Sequence, residues 1–262
     1  MSALAAAVPA TEECLVVDEL HRNFGGVRAV DGASFTVERG RITGLIGPNG
    51  AGKSTVLAMI AGAVRPTSGS IRFEGRELTR VAPRLIPHLG VVRTFQLPSE
   101  FARLTVLENL VVAAPSQQGE ALRGAVLGKR YWRRQEAEIV ARARGLLVRF
   151  DLGDKEDLYA GELSGGQKRL LEIMRCLMVQ PKLLLLDEPM AGVNPSLARR
   201  IERYLLELRD EGLTMLLIEH ELGVIERTCD LVIVMAQGRV IAQGPMSDLR
   251  ARQEVLNAYL IG

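Results

Sequence analysis

Gly47-Pro48-Asn49-Gly50-Ala51-Gly52-Lys53-Ser54-Thr55 satisfies the pattern G-x-x-x-x-G-K-[ST]. It lies between an apolar run at 41–46 that reads as a strand and a stretch at 53–61 that reads as a helix ended by Gly62. In that setting the glycines let the backbone curl until successive N–H groups point into one concavity, where the helix N-terminus adds partial positive charge. A polyphosphate fits such a cradle. Lys53 is then expected to meet the β- and γ-phosphates as a point charge, and the Ser54 hydroxyl to coordinate magnesium.

Outward from this loop, short β-rich runs bounded by glycine alternate with helical stretches, the pattern of a mainly parallel sheet covered by helices. Strands are expected at 15–18, 33–37, 41–46 and 70–73, with a turn at Arg39-Gly40 and another through 65–69. Between about 96 and 180 strand signals fade, and Ile139, Val140, Ala143, Leu146, Leu147 and Phe150 recur at helical spacing. A separate helical lobe, about 97–180, is therefore expected as an insertion. After Pro181 the β pattern returns at 183–186, 214–218 and 231–235, with a helix over 196–210. The fold class is α/β with an inserted α-helical subdomain; the first 13 residues read as a frayed tail and about 238–262 as a C-terminal segment.

Leu183-Leu184-Leu185-Leu186-Asp187-Glu188 is a strand short and apolar enough to be buried on both faces, ending in two acids. Ligands of open parallel sheets bind at the carboxyl ends of strands, so these acids belong beside the phosphate loop. Side chains alternate along a strand, which gives the two acids different tasks. Asp187 is the expected magnesium-side carboxylate and Glu188 the candidate base for an attacking water.

Composition excludes several other classes. The 262 residues carry 33 Lys plus Arg against 31 Asp plus Glu, so the net charge is 33 − 31 = +2, with no polyanion-binding surplus and no nucleic-acid partner implied. Cys14, Cys176 and Cys229 are too few and too scattered for a disulfide framework or a zinc site, which suits a reducing compartment. No window approaches a membrane span, and the alanine-rich start lacks the basic region of a signal peptide.

Leu163-Ser164-Gly165-Gly166-Gln167 precedes a helix expected to run to Gln180, where Pro181 stops it; Leu170, Met174, Leu177 and Met178 give that helix an apolar face, and Ser164 is placed as its N-cap. With this pentapeptide added to the phosphate loop and the carboxylate pair, the chain resembles the ATP-binding cassette (ABC) ATPases from Leu15 to its end. The resemblance implies a P-loop NTPase core with ATP and Mg2+ as cofactors. It implies that Phe24 stacks on adenine, and that Gln96, in Val92-Arg93-Thr94-Phe95-Gln96, joins core to helical lobe and senses magnesium and the γ-phosphate. It also implies that His220, following the apolar Leu216-Leu217-Ile218, contacts the γ-phosphate, and that Ser164, Gly165, Gly166 and Gln167 meet nucleotide held by a second subunit.

One position departs from the family pattern. Many cassettes carry an Asp where Met190-Ala191-Gly192-Val193-Asn194-Pro195 has Asn194, which brings no charge to a dimer interface. The same stretch, the Arg-Thr-Phe-Gln tetrapeptide and Ala258-Tyr259-Leu260 look like the ATP-binding subunits of branched-chain amino acid importers. Partners so implied are integral membrane permease subunits, a second ATPase subunit and, indirectly, a solute-binding protein. The implied location is peripheral, on the cytoplasmic face of the cell membrane. The ATPases of urea importers and lipopolysaccharide exporters are the nearest alternatives, and a soluble ABC protein acting on nucleic acid or ribosomes is the alternative from another class. The basic stretch 123–149 reads as an amphipathic helix whose charged face is either solvated or turned toward membrane subunits.

Overall fold

The three apolar runs, 183–186, 214–218 and 41–46, lie side by side at the centre of the molecule. In the computed structural model, residues 12–94, 100–115 and 129–255 are described, with backbone alone for 129–133. β3 (Ile42–Ile46), β7 (Leu183–Asp187) and β8 (Thr214–Ile218) are buried along their whole length. They pair in parallel within a six-stranded sheet of order β10-β9-β3-β8-β7-β6. β6 (Val91–Arg93) and β9 (Leu231–Ala236) extend the parallel pairing, while β10 (Arg239–Gly244) returns antiparallel on the edge.

Both faces of this sheet are covered, which is why its strands read as unbroken leucine and isoleucine rather than as alternation. Leu184 and Leu186 of β7, with Met215 and Leu217 of β8, join the core beneath the helices. Leu183 and Leu185, with Leu216 and Ile218, join the opposite core, which includes Val56, Leu57 and Ile60 of α1 (Lys53–Ile60). That second core is closed by an antiparallel sheet of order β2-β1-β4-β5, built from β1 (Glu13–Phe24), β2 (Val27–Glu38), β4 (Ser68–Phe73) and β5 (Arg76–Glu77). β1 opens at Glu13, the last residue of the expected tail, and runs well past the expected 15–18.

The inserted segment is helical where described. α2 (Val106–Ala113) begins with a capping box in which Thr105 and Glu108 satisfy each other's backbone N–H groups. In α3 (Lys129–Arg149), Ile139, Ala143 and Leu147 are buried along one side, and Phe150 follows just past its end. The fully buried Asn109 amide donates to the carbonyls of Phe101, Leu104 and Thr105, pinning the approach to α2. α4 (Gly165–Met178) ends two residues before the expected Gln180, which instead turns through a left-handed φ of 56°. α5 (Pro195–Asp210), α6 (Leu222–Thr228) and α7 (Met246–Leu249) complete the described helices.

The described basic side chains of α3 are engaged within the chain. Arg144 pairs with Glu156 at 2.9 Å and Arg149 with Glu211 at 2.9 Å, while Arg142 donates to the Met178 carbonyl and Arg134 meets Glu138 at 3.1 Å. Residues 123–128, Gln96 and the Ala258-Tyr259-Leu260 triplet lie outside the described residues, as do the side chains of Arg130 and Arg133.

Candidate active site

The phosphate loop owes its shape to steric limits that only glycine meets. Gly47 has φ 147°, and a Cβ there would stand 2.0 Å from the Met235 carbonyl oxygen; Gly52 has φ 97°, and a Cβ would stand 2.3 Å from that of Ala29. The loop is thus wedged between β9 and β2. A chain of backbone bonds braces it: Asp31 N–H donates to Gly238 O at 2.9 Å, and Gly238 N–H to Ala51 O at 3.2 Å. α1 starts at Lys53 with neither a side-chain cap nor an acid in its first turn, so its terminal N–H groups are left for a ligand.

Lys53 is 6% exposed, and its ammonium donates to the carbonyls of Gly47 at 2.8 Å and Pro48 at 2.9 Å. Those two bonds take two of its three protons and hold the charge across the loop. Burial pushes its pKa down, opposed by the negative charges of Glu188 and Asp187, so both expected acids lie close enough to act on it.

Asp187 ends β7 with its side chain fully buried. Its Oδ1 lies 3.4 Å from Ser54 Oγ and its Oδ2 accepts from Arg93 at 2.8 Å. Two hard oxygens, Ser54 Oγ and the Asp187 carboxylate, therefore converge beside the phosphate loop, a donor set that suits magnesium completed by phosphate oxygens. Among the described residues, no group of three or more His, Cys, Asp and Glu side chains is placed to hold a metal by itself.

Glu188 follows Asp187 just past the end of β7, where strand alternation no longer holds. It adopts a left-handed φ of 51°, its N–H donates to the Ile218 carbonyl at 3.0 Å, and its half-buried carboxylate lies 2.8 Å from His220 Nε2. The strand-end histidine and the candidate base are thus in direct contact. The next acid, Glu219, is 6% exposed and accepts from the Met190 N–H at 2.8 Å.

Phe24 closes β1 with 46% of its surface exposed, so it is no core residue; the Arg22 guanidinium lies 4.4 Å from its ring centroid. Ser164 caps α4 as expected, accepting from Gln167 N–H at 3.3 Å, and the Gln167 side chain answers by accepting from Ser164 N–H at 2.9 Å. Gln167 thereby has a structural task in addition to any contact with nucleotide. A Cβ on Gly166 would fall 2.1 Å from Leu197 Cδ2, so the signature turn packs directly on α5. Asn194 caps α5, its Oδ1 accepting from Leu197 N–H at 2.9 Å and from the Ser196 hydroxyl at 2.7 Å. An uncharged cap suffices there, which gives the departure at this position a local reason.

Sequence reading assigned nothing to Arg93 or Glu219. Arg93 stands in the tetrapeptide quoted for Gln96, but its partner is 94 residues away and only sheet register brings the two together. Glu219 follows an apolar strand, as Asp187 does, and that placement was the available signal.

Known proteins resemble this chain along nearly all of its length. A family model described as ABC transporter matches residues 30–191. The probable branched-chain amino acid transport ATP-binding protein LivG of Archaeoglobus fulgidus is 40% identical over 246 residues, 94% of this chain and 95% of that protein. The high-affinity branched-chain amino acid transport ATP-binding protein LivG of Salmonella typhimurium is 38% identical over 251 residues, 95% and 98% of the two chains. A nucleotide-free ATP-binding cassette from an ABC transporter and an ADP conformation of such a cassette each superpose with a TM-score of 0.82 at 38% identity, covering 95% of this chain and 99% of theirs. With a wedged phosphate loop, two strand-end acids and relatives of this closeness, the chain belongs to the ABC transporter family, as one of its ATP-hydrolysing cassettes.

Proposed function

We propose that this cassette powers the import of branched-chain amino acids, working as one of two ATPase subunits beneath membrane permeases. The observation that carries the chemistry is the approach of the Asp187 carboxylate to Ser54 of the phosphate loop at 3.4 Å, with the Glu188–His220 pair beginning at the next residue. The assignment of solute rests on the relatives, which are named for branched-chain amino acid transport. Among the described residues no helix is long and apolar enough to cross a membrane, which is compatible with a peripheral subunit on the cytoplasmic face.

In this reading the amides of residues 47–55 and the Lys53 ammonium bind the β- and γ-phosphates of ATP. Ser54 and Asp187 hold magnesium, with Gln96 completing the sensor; when bound, the ion neutralises charge on the phosphoryl oxygens. Glu188 takes a proton from the attacking water, and His220, now resting on Glu188, turns to the γ-phosphate. Phe24 offers its exposed ring to adenine by stacking. Ser164, Gly165 and Gly166 of a second copy supply backbone N–H groups and a helix N-terminus to the same γ-phosphate, so ATP joins two cassettes head to tail. Hydrolysis removes that link, and the helical lobe passes the opening to the permeases.

Uptake by vesicles that hold the chain with its permeases and binding protein tests the solute. Labelled leucine should enter with ATP inside, and the Lys53→Ala variant should abolish entry. Urea entering in its place would overturn the assignment.

A further inference from the structure

Glu219 is a carboxylate that the fold buries without pairing it to a cation. Its carboxylate accepts from the Met190 N–H at 2.8 Å; burial pushes its pKa up, with the negative charge of Glu188 adding to this and the backbone N–H groups of Met190 and His220 and the His220 side chain opposing it. A buried carboxylate is costly unless hydrogen-bonded, so what it bonds to matters. The Met190 donor belongs to the loop that carries Glu188, and Glu219 itself stands in the loop that carries His220. Met190 follows Glu188 by two residues, and its side chain is itself buried.

Other contacts tie the same loops together. Glu188 N–H donates to the carbonyl of Ile218, the Ala191 N–H donates back to the Glu188 carbonyl at 3.1 Å, and His220 Nε2 reaches Glu188 Oε1 at 2.8 Å. Glu188 also sits at φ 51°, a conformation that is strained for a non-glycine residue and persists only where the surroundings hold it. Of these contacts, the Glu219 carboxylate is the side chain that reaches from the His220 loop to a backbone amide of the Glu188 loop. Without it, the Met190 N–H loses its acceptor and the left-handed turn loses a support.

We propose that Glu219 is a positioning residue that sets the separation and angle of Glu188 and His220, by clamping the loop of His220, which it precedes, to the Met190 amide of the Glu188 loop with its carboxylate. This rests on the reading of Glu188 as base and His220 as γ-phosphate contact. Glu219 touches neither water nor nucleotide in this role. It acts through the two residues that do, so its loss falls on turnover rather than on nucleotide binding.

The test compares full-length Glu219→Ala, Glu219→Gln and Glu219→Asp in steady-state ATP hydrolysis, with nucleotide affinity measured separately using a fluorescent ATP analogue. A misplacement of the order of 1 Å costs about 10²-fold in rate, so Glu219→Ala should lower kcat by about 10- to 100-fold while affinity stays within about twofold. Glu219→Gln keeps an acceptor oxygen and should recover most of the rate. Glu219→Asp keeps the charge but is one methylene short of the Met190 amide, and should fall between the two. Glu219→Ala combined with His220→Ala should lose less than the product of the two single losses, because groups acting as one unit are not additive. Wild-type kcat in both Glu219→Ala and Glu219→Asp overturns the clamp, as does multiplication of the two losses in the double variant. If the alanine variant does not fold, wild-type kcat in the aspartate variant alone overturns it. Should His220→Ala and Glu188→Gln hydrolyse ATP normally, the reading of the site has failed, and with it the basis of the clamp.

Discussion

Replacing Arg93 by methionine removes the guanidinium from Asp187 while keeping an apolar stem in its place. The consequence follows from the unequal burial of the pair: the Asp187 side chain is 0% exposed and that of Arg93 19%, at 2.8 Å. An acid stripped of its cation in that position cannot be rescued by water. Breaking a buried ion pair from one side costs about 3–5 kcal/mol. For a chain of this size each kcal/mol moves the melting temperature by about 2–4 °C, so Arg93→Met should melt about 6–20 °C lower. Asp187→Asn leaves the cation instead, and Arg93 can reach solvent and still donate to the amide oxygen, so that variant should lose only about 1–2 kcal/mol. Urea unfolding at neutral pH measures both. Magnesium nucleotide, held at Ser54 and Asp187 as proposed, brings positive charge to the orphaned carboxylate, so the gap between Arg93→Met and wild type should narrow when it is added. A stability for Arg93→Met within about 1 kcal/mol of wild type, or a greater loss in Asp187→Asn, would refute this reasoning, because either result means the carboxylate is not held by Arg93.

That pair also marks where the sequence ceases to be legible. The phosphate loop and the strands at β3, β7 and β8 could be read directly, because a buried parallel strand has no choice but to be apolar along its length. The caps at Ser164 and the turn at Gly62 were local and equally readable. β6, with three residues, and β10, an edge strand largely open to solvent, carry too little apolar pattern of their own and exist because neighbours supply their hydrogen bonds. Arg93 and Glu219 are polar residues whose partners are chosen by tertiary register, and nothing within a few residues of either reveals it. Asn194 was read for what it lacked at an interface, whereas its described contacts are those of a helix cap. For the basic stretch, the plain reading of a solvated face and the reading of a docking face both overlooked the acids at 156 and 211 that the fold brings to it.

Three further outcomes are expected. Lys53→Ala should weaken ATP binding at least tenfold and abolish hydrolysis, as read by equilibrium titration and phosphate release, because in the proposed reading Lys53, held across the loop by the Gly47 carbonyl, is the cation that meets the phosphates. Gly52→Ala should lose about 3 kcal/mol or more in chemical unfolding, since φ 97° is strained for alanine and the new Cβ would press on the Ala29 backbone oxygen. The Lys182 hydrogen bond, helped by that of Arg39, holds the Glu74 carboxyl below the usual carboxylate range. A depressed folded pKa contributes stability above the unfolded value that is lost as pH falls through the folded one, so Glu74→Gln should be less stable than wild type at pH 7 and equal to it once acid has protonated Glu74 in both states.

The claim that this chain is a cassette in which Glu188 activates water between two copies is tested most directly by the Glu188→Gln variant with saturating ATP and magnesium. The amide keeps the size and hydrogen-bonding reach of the carboxylate but cannot take a proton. Light scattering after size exclusion should find an ATP-dependent dimer that persists, with phosphate release stalled. A variant that releases phosphate at the wild-type rate, or that remains monomeric with ATP even when the membrane subunits are present, would contradict the account.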